Sequence, residues 1–181
     1  MSITEKAARV KLILLDVDGV LTDGKILLHA DGSESKRFDI KDGLAIVWAQ
    51  RAGLTVGFLS ARNSSTTLHR AAQLGVTLVH QGVASKLDTY EQIAGDLCED
   101  DEEVAYMGDD IVDLPVLARV GLAAAPVDAA ADVRSRVNWV STAKAGEGAV
   151  RELIELILRA QSRWESVIEA HLAEEIGRAH V

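Results

Sequence analysis

The 181-residue chain contains one cysteine and two prolines, and aromatic residues make up only 4% of it. A single cysteine, Cys98, excludes an internal disulfide framework and any cysteine-cluster metal site. Scarce aromatics leave the core to Leu, Val, Ile and Ala. No apolar stretch approaches the ~20 residues that span a bilayer. The opening MSITEKAARV lacks the apolar core of a secretion signal, so the expected location is the cytoplasm. Basic residues are outnumbered, 19 Lys and Arg against 28 Asp and Glu, for a formal net charge of -9. Such a surface argues against nonspecific binding of nucleic acid or of an anionic membrane. A small anionic substrate stays open, because a metal ion or a lysine reverses the field locally.

With 48% hydrophobic and 26% charged residues, the chain has the profile of a soluble globular protein. We read 1–174 as a single domain, with a core that this length can fill. The closing EIGRAHV, Glu175 to Val181, resembles translated adapter sequence and is set apart as a non-native tail.

Short apolar runs alternate with longer amphipathic ones. VKLILLD reads as a strand. Two short segments around ADGS read as a β-hairpin at about Lys25 to Ile40. KDGLAIVWAQRAG reads as a helix closed by Gly53, LTVGFLS as a strand, and STTLHRAAQLG as a helix closed by Gly75. VTLVHQG is a strand, SKLDTYEQIAGDL a helix capped by Ser85, and EEVAYMGDD a strand ending on carboxylates. A short helix DLPVLARVG, strands LAAAP and VNWVS, and one long terminal helix from GAVREL to HLAE complete the chain. The alternation predicts an α/β fold: a Rossmann-like parallel sheet with helices on both faces.

Ligands of such sheets bind outside the carboxyl ends of the strands. The polar residues gather there. Asp16 and Asp18 follow the first strand, Ser60 follows TVGFL, and Asp109, Asp110 and Asp113 follow VAYMG. Lys86 follows LVHQG by a short loop. Carboxylates without histidine or cysteine suit a hard cation such as Mg²⁺. Asp16 and Asp109 are the expected direct ligands, with the Asp18 carbonyl as a third. Asp110 and Asp113 would orient waters or stand behind the ligands. An ionised Asp16 can attack phosphorus, while Asp18 gives and then takes the proton. Ser60 and Lys86 would bind the transferring phosphoryl oxygens.

Plainer readings stand beside these. DVDG as a calcium loop fails, because Val20, Leu21 and Leu27 occupy positions that loop reserves for a ligand, glycine and glutamate. The aspartates 109, 110 and 113, and Ser60, also read as helix caps, and Lys86 alone as a surface lysine. Arg62 and Arg70, roughly two helical turns apart, read as solvated arginines of one helix face. CEDDEE reads as a solvated acidic loop. His29, His69, His80 and His171 have no metal-site spacing, and Trp48 and Trp164 read as core or interface.

DVDGVLTDG, LSAR, SK and GDDIVDLP, in this order and each at a strand end, resemble the four motifs of the haloacid dehalogenase superfamily of phosphatases. Ser60 and Lys86 lie too close together for a cap domain, and only the hairpin separates Asp18 from the next helix. That hairpin, FDIKDGLAI, HQG before the lysine, and GEGAVREL resemble the capless 3-deoxy-D-manno-octulosonate 8-phosphate phosphatase family. The resemblance implies a Mg²⁺-dependent homotetramer that frees a sugar acid for lipopolysaccharide assembly. Its hairpins would pack at the centre and a neighbouring subunit would close each site. It implies substrate contacts at Asp18, Asp39, Ile40, Lys41, Asp42, Gly43, Arg62, Arg70 and Lys86. Three positions depart from the pattern: Val47 and Glu147, where arginine is common, and Ala61 for the usual glycine. They keep a nine-carbon 2-keto sugar acid 9-phosphate open as the alternative substrate. A non-catalytic scaffold of this fold would be expected to lose a motif residue, and this chain keeps them all.

Overall fold

The computed structural model describes residues 1–98 and 100–178, with 174–178 as backbone only. A helix that the strand pattern does not announce comes first. It is α1 (Ile3–Arg9), whose Ser2 hydroxyl accepts from the Glu5 N–H while the Glu5 carboxylate accepts from the Ser2 N–H. Next comes β1 (Leu12–Leu15). A tight helical turn at Val17–Leu21 leads to a hairpin, β2 (Leu27–Leu28) antiparallel to β3 (Glu34–Ser35), with ADGS between its strands. The chain continues through α2 (Ile40–Arg51), β4 (Thr55–Leu59), α3 (Ser65–Leu74), β5 (Leu78–His80) and α4 (Lys86–Leu97). Then follow β6 (Val104–Met107), α5 (Leu114–Leu117), β7 (Leu122–Ala125), α6 (Ala131–Arg134), β8 (Trp139–Val140), α7 (Ala149–Ala160) and α8 (Trp164–Arg178).

Six strands form one parallel sheet in the order β5-β4-β1-β6-β7-β8. β1 is central and buried on both faces, which explains its unbroken apolar run. Side chains alternate along it: Ile13 and Leu15 join one core layer, Leu12 and Leu14 the other. The first layer packs against Ala7 of α1, Ile46 of α2 and Leu153, Ile154 and Ile157 of α7. The second packs against Tyr90 and Ile93 of α4, Val116 of α5 and Val133 of α6. From β1 the chain builds outward to β5, then returns to the other side of β1 with β6. The crevice between the ends of β1 and β6 is therefore the switch point where such sheets bind ligands.

Two expectations need correction. The terminal helix is not continuous. It breaks at 161–163, where Ser162 takes a left-handed φ of 57°. Gln161 donates to the Val10 carbonyl at 2.7 Å and Arg163 to the Ala52 carbonyl at 2.8 Å. The turn sets Trp164 edge-to-face on Trp48, ring centroids 5.8 Å apart. Packing against α2 outweighs the helical periodicity that spans the break. The acidic run 98–103 is also more than a solvated loop. Asp101 accepts from the Tyr90 hydroxyl at 2.5 Å and binds Arg119 at 3.0 Å, and Glu102 pairs with Arg9. Glu99 lies outside the described residues. So does the end of the expected tail, 179–181, while the backbone of α8 runs on to Arg178.

One buried carboxylate ties α2 to α7. Asp42, 1% exposed, accepts from the N–H of Arg151 at 2.8 Å and of Gly148 at 3.3 Å, the open end of α7. Burial raises its pKa to about 6 against those two hydrogen bonds. Replacing Asp42 by Ala strands both donors, so we expect a loss of about 1–3 kcal/mol in urea unfolding. An unchanged midpoint would show that the helix end is satisfied otherwise.

Candidate active site

β1 ends on Asp16, whose own N–H donates to the Met107 carbonyl at 3.1 Å and so pins it beside the end of β6. Asp109 follows β6 by two residues. Ser60 follows β4 directly, and Lys86 opens α4 above β5, where Ser85 caps the helix on the Asp88 N–H. The backbone thus delivers four strand ends to one edge, as the sequence predicts.

Lys86 is the hub. Its side chain is 5% exposed, and Nζ lies 2.9 Å from Asp16 Oδ1 and 2.6 Å from Asp113 Oδ1. Tyr106, fully buried on β6, donates its hydroxyl to the same Asp113 oxygen at 2.5 Å. The other Asp113 oxygen accepts from the N–H groups of Asp109 at 3.0 Å and Asp110 at 3.3 Å. Asp113 is therefore a buried brace that orients Lys86 and the 109–110 turn. Asp110 takes the capping place that the plainer reading gave it. It is exposed, its carboxylate accepts from the Ile111 N–H at 2.7 Å and caps the turn, and its charge still acts on Asp109.

The electrostatics of the cluster are those of too many acids in too little water. Burial, then Asp16 and Asp113, push the Asp109 carboxyl up to about 7. Burial and Asp113 raise Asp16 as well, against the pull of Lys86. Burial would lower the Lys86 pKa, but Asp16 and Asp113 more than offset it and hold it above the ordinary value. Oxygens of Asp16, Asp109 and Asp113 all lie within 4.8 Å of one another. Gly19, at φ 94°, keeps this space open, because a Cβ there would overlap the Asp109 carboxylate. An oxygen-only donor set with an excess of negative charge fits Mg²⁺. Asp16 and Asp109 would hold it, Asp113 being spent on Lys86, Tyr106 and two N–H groups.

Asp18 is separate from this cluster. Lys36 of the segment after β3 sits 2.8 Å from its Oδ1 and 3.0 Å from its Oδ2, and Arg62 Nε lies 3.7 Å away. Ser60, 3% exposed, accepts from the Arg62 N–H at 3.2 Å. Arg62 also reaches Glu34 at 3.1 Å.

The remaining candidates gather at the start of α2. Asp39 caps that helix by accepting from the N–H groups of Lys41 and Asp42. Ile40 and Lys41 are exposed, and the Asp42 carboxylate turns inward to α7 instead of toward a ligand. Gly43 leaves room for the Arg70 guanidinium, which donates to the Asp39 carbonyl at 3.1 Å. Sequence reasoning missed Tyr106, Glu34 and Lys36. Tyr106 reads as a core residue of a strand. The i, i+2 spacing of Glu34 and Lys36, which puts both on one face of an extended segment, was the available signal.

The raised carboxyls set a pH dependence. Asp16 and Asp109 bind protons more tightly folded than unfolded, so their contribution to stability falls as pH rises from about 4 to about 7. Mg²⁺ binds the ionised forms. The rise in melting temperature on adding Mg²⁺ should therefore be larger near pH ~7.5 than near pH ~5.5. Equal rises at both would remove these two residues as ligands.

No family model matches the chain. It is 38% identical over 163 residues to the 3-deoxy-D-manno-octulosonate 8-phosphate phosphatase of Yersinia pestis, covering 90% of this chain and 87% of that one. The crystal structure of that enzyme superposes with a TM-score of 0.88 over 90% of this chain and 88% of that chain, at 38% identity. A haloacid dehalogenase superfamily hydrolase of Legionella pneumophila gives a TM-score of 0.91 at 37% identity, covering 94% of each chain. The Moraxella catarrhalis 3-deoxy-D-manno-octulosonate 8-phosphate phosphatase, solved with a magnesium ion, a phosphate ion and the KDO molecule, gives 0.91 at 32% identity, covering 93% of this chain and 97% of that one. The switch-point crevice, its four strand-end residues and these likenesses converge: the chain belongs to the 3-deoxy-D-manno-octulosonate 8-phosphate phosphatase family of the haloacid dehalogenase superfamily.

Proposed function

We propose that this chain is a Mg²⁺-dependent phosphatase that hydrolyses 3-deoxy-D-manno-octulosonate 8-phosphate through a phosphoryl group carried on Asp16. The carrying observation is the buried Asp16–Lys86 contact at 2.9 Å beside Asp109, with Asp18 two residues on but engaged separately. An Asp16 oxygen attacks phosphorus. The bond from phosphorus to the sugar oxygen breaks, and that oxygen takes a proton from the Asp18 carboxyl. Water then attacks the same phosphorus and gives a proton to Asp18. The bond from phosphorus to Asp16 breaks, and inorganic phosphate leaves with the Asp16 carboxylate restored. Lys86 and the Ser60 hydroxyl hold the phosphoryl oxygens during both displacements. When bound by Asp16, Asp109 and the Asp18 carbonyl, Mg²⁺ supplies positive charge against the phosphoryl group and the crowded carboxylates.

Asp39, Ile40, Lys41, Arg62 and Arg70 are the proposed substrate contacts around the open end of α2. A polar cavity of about 230 Å³ lies there, lined by Asp23, Arg37, Phe38, Asp39, Gly146 and Glu147. Glu147 in that lining favours a second reading, a nine-carbon 2-keto sugar acid 9-phosphate, on the same chemistry. The test is phosphate release from both sugar phosphates, with and without Mg²⁺. We expect Mg²⁺-dependent turnover with a higher kcat/KM for the eight-carbon substrate; the reverse order would install the second reading. Asp16→Asn should lower kcat by at least about 10³-fold with an unchanged circular dichroism spectrum. Near-normal turnover by that variant would end the Asp16 mechanism.

A homotetramer assembled through the hairpin is part of the same proposal. Leu27 and Leu28 of the hairpin and Ile40 at the start of α2 are 63%, 72% and 75% exposed, apolar side chains left open to solvent. A second copy covering them would also shield a site that has no cap. Light scattering should give a tetramer, and Leu27→Lys with Leu28→Lys should give smaller species of lower activity. A fully active monomer would contradict it.

A further inference from the structure

We propose that Lys36, held by Glu34, is the positioning residue for Asp18, so that the hairpin is part of the catalytic machinery of its own chain. The inference rests on the phosphatase reading above. The Lys36 side chain is 1% exposed; its Nζ donates to Asp18 Oδ2 at 3.0 Å and lies 2.8 Å from Oδ1, a buried oxygen that accepts no hydrogen bond. A cation bonded to one oxygen and lying within ion-pair distance of the other holds the carboxylate in place and leaves Oδ1 free of any other donor. Glu34 lies 3.7 Å from the same Nζ. Glu34 is itself held from α3: the Ser64 hydroxyl donates to it at 2.5 Å, Arg62 at 3.1 Å, and the Thr66 hydroxyl reaches its carbonyl at 3.4 Å. A line of contacts thus runs from the first turn of α3 through the hairpin to Asp18.

A purely structural reading is the weaker one. Two-residue strands do not order themselves, so the hairpin needs anchors. A desolvated ammonium is a poor anchor, because its ion pairs largely repay the cost of removing it from water, and an apolar side chain would hold as well. What the lysine adds is directional. The two aspartates of DVD are divided between two lysines: Lys86 takes Asp16 and Lys36 takes Asp18. The carboxylate that carries the phosphoryl group and the one that moves the proton are thereby held apart.

A leaving group that needs no proton separates the steps. With p-nitrophenyl phosphate, formation of the Asp16 phosphoryl group releases p-nitrophenolate unaided, whereas its hydrolysis still requires Asp18 to take a proton from water. For Lys36→Met we expect a rapid burst of about one p-nitrophenolate per site, then steady turnover slowed about 10- to 100-fold. With the sugar phosphate, kcat should fall by the same order while KM changes less than about 3-fold, and Lys36→Arg should recover part of kcat. A structural lesion would instead reduce burst and steady rate in the same proportion. That result, or wild-type kinetics in Lys36→Met, overturns the inference. If Lys36→Met does not fold, Glu34→Gln carries the test, and the same burst followed by slow turnover is expected. A wild-type chain that releases phosphate from neither ester overturns the phosphatase reading, and this inference with it; an active wild type with an unaffected Lys36→Met overturns this inference alone.

Discussion

The burial of like charges at the carboxyl edge of the sheet governs the rest of the structure. Asp16, Asp109 and Asp113 lie within reach of one point, and the buried ammonium of Lys86 bridges two of them. Removing one partner from such a group typically costs about 3–5 kcal/mol, because a charge is left without compensation. The cluster therefore has to be braced from every side. Tyr106 donates from β6, the 109–110 backbone donates from the loop, and Ser85 caps the helix that carries Lys86. Even so, burial first and then Asp16 and Asp113 raise the Asp109 carboxyl to about 7, a deficit of positive charge that Lys86 only partly offsets. That deficit is what a divalent cation corrects.

The strand order explains why this charge sits where it does. β1 and β6 are neighbours in the sheet but distant in sequence, so Asp16 and Asp109 meet only once the second half of the sheet is added to the first. Around them the chain uses short, strong polar ties instead of large surfaces. Asp42 fastens the start of α7 to α2, Gln161 and Arg163 turn the chain at its end, and Glu34 fastens the hairpin to α3. Each tie links segments more than twenty residues apart.

The hairpin links the fold to its surroundings. Toward the crevice it presents Glu34 and Lys36, both largely buried; toward solvent it presents Leu27 and Leu28. Solved relatives superpose at TM-scores of 0.88 to 0.91, so the architecture that creates the crevice is shared with two proteins named as 3-deoxy-D-manno-octulosonate 8-phosphate phosphatases and one named as a superfamily hydrolase.

By itself the sequence determined the sheet, most of its helices and the edge at which chemistry happens, because these depend on local periodicity and on which residue follows each strand. Asp16, Ser60, Lys86 and Asp109 were legible for that reason. The Ser2–Glu5 capping pattern was legible too, but too short to stand out beside the strand that follows. What only the tertiary structure decided is how each polar group is employed. Asp42 and Asp113 belong to motifs rich in ligands, yet one braces α7 and the other braces Lys86, because buried N–H groups from distant segments meet them there. Asp110, their neighbour in the same motif, faces water. The terminal helix breaks because Trp48 and the Val10 carbonyl offer Trp164 and Gln161 better partners than further helix does. Lys36 gains its place from the folded hairpin. A pattern of residues fixes which face a side chain occupies, whereas its partner is fixed by chain that returns from elsewhere, and desolvation makes that partner decisive.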